Sequence, residues 1–117
     1  MSQPESYYDY IIAGAGAAGL LTAQAIAQQG LLRGKKMLII DRAPKLDNDR
    51  TWCFWERGAG SLDEVVHHSW PSITVADQKS KMHIDLGDYR YKMVRSASFY
   101  AQLNKELTQH PEIEFKF

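Results

Sequence analysis

Apolar and polar positions change rhythm several times along this chain, and each change marks an element. Tyr8 to Ala13 is a short β-branched, apolar run, which predicts a buried strand. From about Ala17 to Gln29 the chain is rich in alanine and predicts a helix, with Gly30 as its C-terminal cap. Met37-Leu38-Ile39-Ile40 predicts a second buried strand ending at Asp41. The three together have the size of a βαβ unit, whose crossover is right-handed and whose strands are parallel.

Ala43 to Arg50 is a polar loop containing Pro44, and Thr51 to Glu56 is an aromatic cluster. Ser61-Leu62-Asp63-Glu64 has capping-box form and predicts a short helix through about His67, with Pro71 closing the region. Ile73 to Ala76 suits a strand. Met82, Ile84 and Leu86 alternate with polar residues, and Gly87-Asp88 separates them from Tyr89 to Val94. Two such runs around a Gly-X pair predict a hairpin with a type II′ turn. Ser98 to about Gln109 reads as a helix with Phe99, Leu103 and Leu107 along one face. Pro111 follows, and Ile113 to Phe117 alternates as the last strand. That pattern stops without a turn or polar tail, so the chain reads as the truncated N-terminal portion of a longer protein.

The first strand, the turn and the first helix carry the chemistry. Gly14-x-Gly16-x-x-Gly19 follows a strand and opens a helix, and Asp41 stands twenty-two positions after Gly19 at the end of the second strand. Gly14 permits the tight turn, Gly16 leaves room for a pyrophosphate against the backbone, and Gly19 lets the helix pack close to the strand. A diphosphate there meets unsatisfied N–H groups at the positive end of the helix dipole. Asp41 can accept hydrogen bonds from ribose hydroxyls and would repel a 2′-phosphate, so FAD or NAD fits better than NADP; Arg42 blurs that distinction. The motif alone does not separate FAD from NAD.

The long aromatic segment and the hairpin interrupt what a short NAD domain would continue as strand–helix–strand. This resembles the FAD domain of the hydroxylase-like flavoproteins. The resulting expectation is an α/β fold: a Rossmann-like βαβ FAD-binding domain, residues 1–117, with an antiparallel β-hairpin or meander insertion. Arg95 precedes the helix bearing Phe99, and in that class an arginine here often faces the dinucleotide; a solvated strand-end arginine is the alternative. The cofactor-binding candidates are Gly14, Ala15, Gly16, Ala18, Gly19, Asp41, Arg42 and Arg95.

Composition narrows the function further. Of 117 residues, fourteen are basic and fourteen acidic, which gives no general field for nucleic acid. The longest weakly polar run, Tyr10 to Leu21, is too short to span a bilayer. Met1 to Asp9 is polar and acidic and lacks the basic start of a secretory signal. The single cysteine, Cys53, excludes an intrachain disulfide framework and a cysteine-based zinc site, and it is compatible with a reducing cytoplasm. Cys53 is expected as a buried small hydrophobe. His67 and His68, on different sides of a helix, have poor metal geometry, and no metal is expected. Arg50 either touches the flavin side of the site or, the favoured reading, forms a surface ion pair with Asp47 or Asp49. Trp52, Phe54 and Trp55 either line the route of a hydrophobic ligand or, for at least two of the three, cover the sheet as core.

Asp49-Arg50-Thr51-Trp52-Cys53-Phe54-Trp55-Glu56, placed after such a βαβ unit, resembles the lycopene cyclases of carotenoid synthesis. Tyr8 to Leu20 and Tyr91-Lys92-Met93-Val94-Arg95 are similar to that family too, with the bacterial β-cyclase branch the nearest match. The resemblance implies FAD kept reduced by NADPH or NADH, and lycopene or another acyclic carotenoid as substrate. It implies acid-initiated, redox-neutral closure of a β-ionone ring, and a cytoplasmic protein for which peripheral membrane attachment stays open. The family's catalytic glutamate lies in a later acidic motif. Glu56 and Glu64 do not match it, so the catalytic residue is unknown and the 117 residues alone should lack turnover. A monooxygenase or related oxidoreductase with the same FAD domain is the rival reading, and a non-catalytic dinucleotide-binding module is a third.

Overall fold

The computed structural model describes residues 5–117; Met1 to Pro4, part of the polar N-terminal stretch, lie outside the described residues. Strands β1 (Tyr10–Ala13), β2 (Met37–Ile40), β3 (Thr51–Arg57), β4 (Val66–Trp70), β5 (Ser72–Ala76), β6 (Lys81–Asp85), β7 (Tyr89–Arg95) and β8 (Ile113–Lys116) accompany helices α1 (Ala17–Gln28) and α2 (Ser96–Thr108). They fall into two compact units. One holds the chain up to Leu46 and again from Tyr100, and the other runs from Asp47 to Phe99.

The first unit is a parallel sheet of order β1-β2-β8 with its helices. Apolar β2 sits at the centre, as its unbroken Met-Leu-Ile-Ile run requires, and Met37 to Ile39 are buried. β1 is different. The sequence predicts a buried strand, but among the described residues β1 pairs on one edge only and its residues alternate, leaving Ile11 61% exposed. α1 ends in a Schellman cap: Gly30 has φ +72°, its N–H bonds the Ala27 carbonyl, and the Leu31 N–H reaches Ile26. Leu20, Ala23, Leu103 and Leu107 are fully buried, so the Leu103 and Leu107 spacing seen in the sequence is the core stripe of α2.

In the second unit β7 is central, flanked by β3 and β4 in an antiparallel sheet, while β5 and β6 form their own hairpin. This corrects two expectations. Gly87-Asp88 does make a turn, closed by the Tyr89 N–H on the Leu86 carbonyl at 3.0 Å. Yet its two arms join different sheets. β6 pairs with β5 across a competing turn, in which the Asp77 carboxylate accepts the N–H groups of Lys79 and Ser80. β7 buries Lys92 and Val94, which suits a strand paired on both edges. The capping box at Ser61 likewise yields only a 3-10 turn, Asp63–Val65, without a side-chain cap. The Asp63 carboxylate is drawn to the Gly60 N–H and to Lys92 instead, and the chain enters β4 at Val66, so His67 and His68 are strand residues, both exposed.

Ser96 starts α2 two residues earlier than predicted. Its buried hydroxyl donates to the Asp49 carboxylate or the Asp47 carbonyl and accepts the Arg50 N–H, fixing the loop that leads into β3. Because Leu103 is fully buried in the first unit, Leu103→Ala in the complete protein should cost about 2–5 kcal/mol in denaturant unfolding. A loss below about 1 kcal/mol, the level of a tolerated swap, would contradict this core.

Candidate functional site

The turn between β1 and α1 is built from backbone. Gly14 has φ +113°, a conformation that side chains rarely adopt, and its N–H continues the parallel ladder to the Ile40 carbonyl at 2.7 Å. Gly16 is the N-cap of α1, with no side chain capping the helix and no acidic residue in the first turn. The first intrahelical bond runs from the Leu20 N–H to the Gly16 carbonyl. The N–H groups of Gly16, Ala17, Ala18 and Gly19 therefore find no acceptor among the described residues. A Cβ placed on Gly16 would meet nothing within 4 Å, so the approach to these donors is open.

Gly19 faces the other way. A Cβ there would collide with the Gly14 carbonyl oxygen and come within 3.1 Å of Ile12 Cγ2. The missing side chain is what allows α1 to lie against the turn and β1.

Asp41, one residue past β2, reaches back into the turn. Its Oδ2 accepts the Ala15 N–H at 2.9 Å and its Oδ1 accepts the Arg42 N–H at 2.6 Å. Lys45 Nζ stands 3.8 Å from Oδ2. The Ala15 amide, then the Arg42 amide, hold this carboxyl below the usual carboxylate range. A depressed carboxylate contributes to the folded state above its unfolded pKa, and the contribution is lost as pH falls through the lowered value. Arg42 itself is exposed.

The arrangement fits an adenine dinucleotide. A run of free amides at a helix N-terminus suits a diphosphate, open space at Gly16 lets it approach, and the adjoining carboxylate has lone pairs left for a ribose diol. Ala18 contributes one of the free amides, whereas the Ala15 amide is committed to Asp41. Arg95 lies in the second unit, exposed at the end of β7 and paired across the sheet with Thr51.

The aromatic string is split by strand alternation. Trp52 and Phe54 are half-buried on one face of β3, with the Trp52 ring edge-on to buried Phe99 at 5.1 Å. Trp55 is 53% exposed on the other face. There it aligns with Tyr91 and Trp70 in one row across β3, β7 and β4, with ring centroids 4.4 and 5.9 Å apart. Cys53 is exposed, contrary to the buried role expected of it, because it shares Trp55's face. Arg50 makes no ion pair with Asp47 or Asp49 among the described residues; Asp49 instead faces the Ser96 hydroxyl.

Sequence reasoning missed one buried ionic cluster. Lys92, 5% exposed, donates to Glu56 and Asp63 at 2.7 Å each and to the Gly58 carbonyl at 2.8 Å. Asp63 first, then Glu56, holds the Lys92 ammonium above its ordinary range, and Lys92 pulls Asp63 down. A Cβ on Gly60 would run into the Glu56 carboxylate, which would have to move. The signal was in the alternation: Lys92 is in phase with Val94, and Glu56 with Trp52 and Phe54. Among the described residues no group of three or more His, Cys, Asp or Glu could hold a metal. No described helix is long and apolar enough to cross a membrane.

The fold is shared with solved structures of a probable FAD-dependent monooxygenase and an oxygenase. Pseudomonas aeruginosa PqsL, named as a probable FAD-dependent monooxygenase, matches with TM-score 0.66 and 15% identity over 94% of this chain and 32% of its own. PqsL in complex with 2-aminobenzoylacetate gives TM-score 0.68 at 15% identity, over 94% of this chain and 33% of its own. A mutant of 2-methyl-3-hydroxypyridine-5-carboxylic acid oxygenase gives 0.65 at 15% identity, over 94% and 32%. The chain thus spans about a third of the length of these structures. No curated protein matches it in sequence. The model of the lycopene cyclase protein family matches residues 9–116, and the chain belongs to that family.

Gly19→Ala tests the packing of the turn. Alanine would add about 1 kcal/mol of helix propensity, so a net loss would report the crowding against Gly14 and Ile12. The complete protein should lose about 1–3 kcal/mol on unfolding, as overpacked sites do. A stability equal to or above the parent's would contradict the close approach.

Proposed function

We propose that this chain is the FAD-binding portion of a lycopene β-cyclase, and that the first unit is the opening βαβ half of a Rossmann-like domain. The observation that carries the reading is the run of free amides from Gly16 to Gly19 beside the Asp41 carboxylate. Membership of the lycopene cyclase family supports the cyclase over the other chemistries that such a domain serves.

In this reading the four amides bind the diphosphate, Gly16 admits it, and Asp41 orients the adenosine ribose. Bound FAD, kept reduced by NADPH or NADH, would supply negative charge that favours a cationic transition state. The substrate is lycopene or another acyclic carotenoid, and the reaction is redox-neutral. A proton adds to the terminal double bond, an internal double bond closes a six-membered ring, and loss of a proton gives the β-ionone ring. No residue of this chain is assigned as the acid. The row of exposed Trp55 and half-buried Tyr91 and Trp70 offers flat apolar rings suited to a conjugated hydrocarbon. The enzyme would work from the cytoplasm on a substrate dissolved in the membrane, attached peripherally.

An oxygen-consuming flavin monooxygenase is the second reading, favoured by the solved structures that share the fold. One experiment separates the two. The complete gene, expressed in lycopene-accumulating bacteria, should convert lycopene to β-carotene, with or without oxygen. Gly16→Val, which puts a branched side chain where the diphosphate must approach, should abolish both flavin retention and conversion while the protein stays folded. An oxygenated, oxygen-dependent product would establish the monooxygenase. Full flavin retention in Gly16→Val would remove this turn as the binding site.

A further inference from the structure

We infer that Asp41 is a positioning residue that sets the shape of the diphosphate-binding turn, in addition to any part it takes in holding the ribose. This rests on the dinucleotide reading of the turn given above.

The turn is stapled to β2 at two successive residues. The Gly14 N–H bonds the Ile40 carbonyl, and the Ala15 N–H bonds Asp41 Oδ2. The first staple is ladder geometry that any sequence could make. The second exists only because residue 41 has a carboxylate short enough to turn back on its own strand end. Asp41 is itself fixed, since its N–H bonds the Lys116 carbonyl of β8 and its Oδ1 accepts the Arg42 N–H. The carboxylate is mostly shielded, with its side chain 14% exposed, and the Ala15 residue it grips is buried. The result is a division of labour among five consecutive amides. Ala15 is spent on the shape of the turn, and Gly16 to Gly19 are left for a ligand. Each carboxylate oxygen takes one backbone N–H and keeps a second lone pair, so the positioning role and a ribose contact do not compete.

Electrostatics makes this inference testable by sign. A carboxylate close to the diphosphate repels it. If Asp41 served the ribose alone, removing its charge would leave inorganic pyrophosphate binding unchanged or make it tighter. If Asp41 holds the turn, the same change frees the Ala15 amide, loosens the four donors and weakens pyrophosphate binding despite the relieved repulsion.

The probes are inorganic pyrophosphate and ADP, titrated against the flavin-stripped complete protein, parent and Asp41→Ala. Pyrophosphate affinity should fall by roughly tenfold or more, the scale of one lost charged hydrogen bond, and ADP affinity should fall further. In the parent, hydrogen exchange followed by NMR should show the Ala15 amide protected and those of Gly16 to Ala18 exchanging freely before ligand is added. Asp41→Asn, which keeps one acceptor, should restore part of the pyrophosphate affinity and guards against a misfolded alanine variant. Pyrophosphate bound as well or better by Asp41→Ala, with ADP alone weakened, would overturn the positioning role and leave the dinucleotide reading intact. A parent protein that binds neither probe would overturn the dinucleotide reading itself. An unprotected Ala15 amide in a parent that binds ADP would overturn the positioning role without any variant.

Discussion

Four consecutive backbone N–H groups at the start of α1 have no partner among the described residues, and the first unit is arranged around keeping them so. A helix start normally satisfies such donors with a serine, threonine or aspartate side chain. Here the N-cap is glycine, the first turn carries no acid, and the Asp41 carboxylate is engaged one residue earlier, at Ala15. The donors thus stay concentrated at the positive end of the helix dipole, in open space. In open space they can bond water, and an anionic ligand can take the water's place with a gain from the helix dipole. The remaining constraints serve the same end. Gly14 makes the turn tight, Gly19 brings the helix down onto it, and the parallel pairing of β1 with β2 carries Asp41 to its side.

The second unit solves a different problem. A small antiparallel sheet with only Val94 and Phe99 as fully buried apolar residues has little core of its own. It is fastened by polar contacts instead. Lys92 joins β7 to Glu56 at the end of β3 and to Asp63 in the turn before β4, and Ser96 ties the loop before β3 to the start of α2. Such a cluster is specific because its parts depend on one another: removing Lys92 would leave two carboxylates facing each other, and enlarging Gly60 would displace one of them. The opposite face carries the aromatic rings of Trp55, Tyr91 and Trp70.

Much of the first unit was legible in the sequence because its determinants are local. The Gly14-to-Gly19 spacing, the alanine-rich helix, the apolar run of β2 and the acid at its end each act within a few residues. So do Gly30 at the helix end and the Leu103 and Leu107 stripe. What escaped was decided between distant segments. Gly87-Asp88 does form a turn, but the partners of β6 and β7 depend on Asp77 bracing a competing turn and on β7 having inward residues that need neighbours on both edges. The capping box at Ser61 lost to Lys92, which lies twenty-nine residues from Asp63. Cys53 and Trp55 turned outward because β3 alternates, a fact hidden while Thr51 to Glu56 was read as a cluster and not as a strand. Within the turn, sequence placed Ala15 among the ligand-binding residues; only coordinates show its amide already taken.

Whether the donors of Gly16 to Gly19 meet a diphosphate is tested most directly by a crystal structure of the complete protein with FAD bound. It should show phosphate oxygens within hydrogen-bond distance of amides in that run, the adenosine ribose at Asp41, and the Ala15 N–H still on the carboxylate. A flavin bound with its diphosphate away from α1, or with Asp41 turned out of the turn, would contradict it.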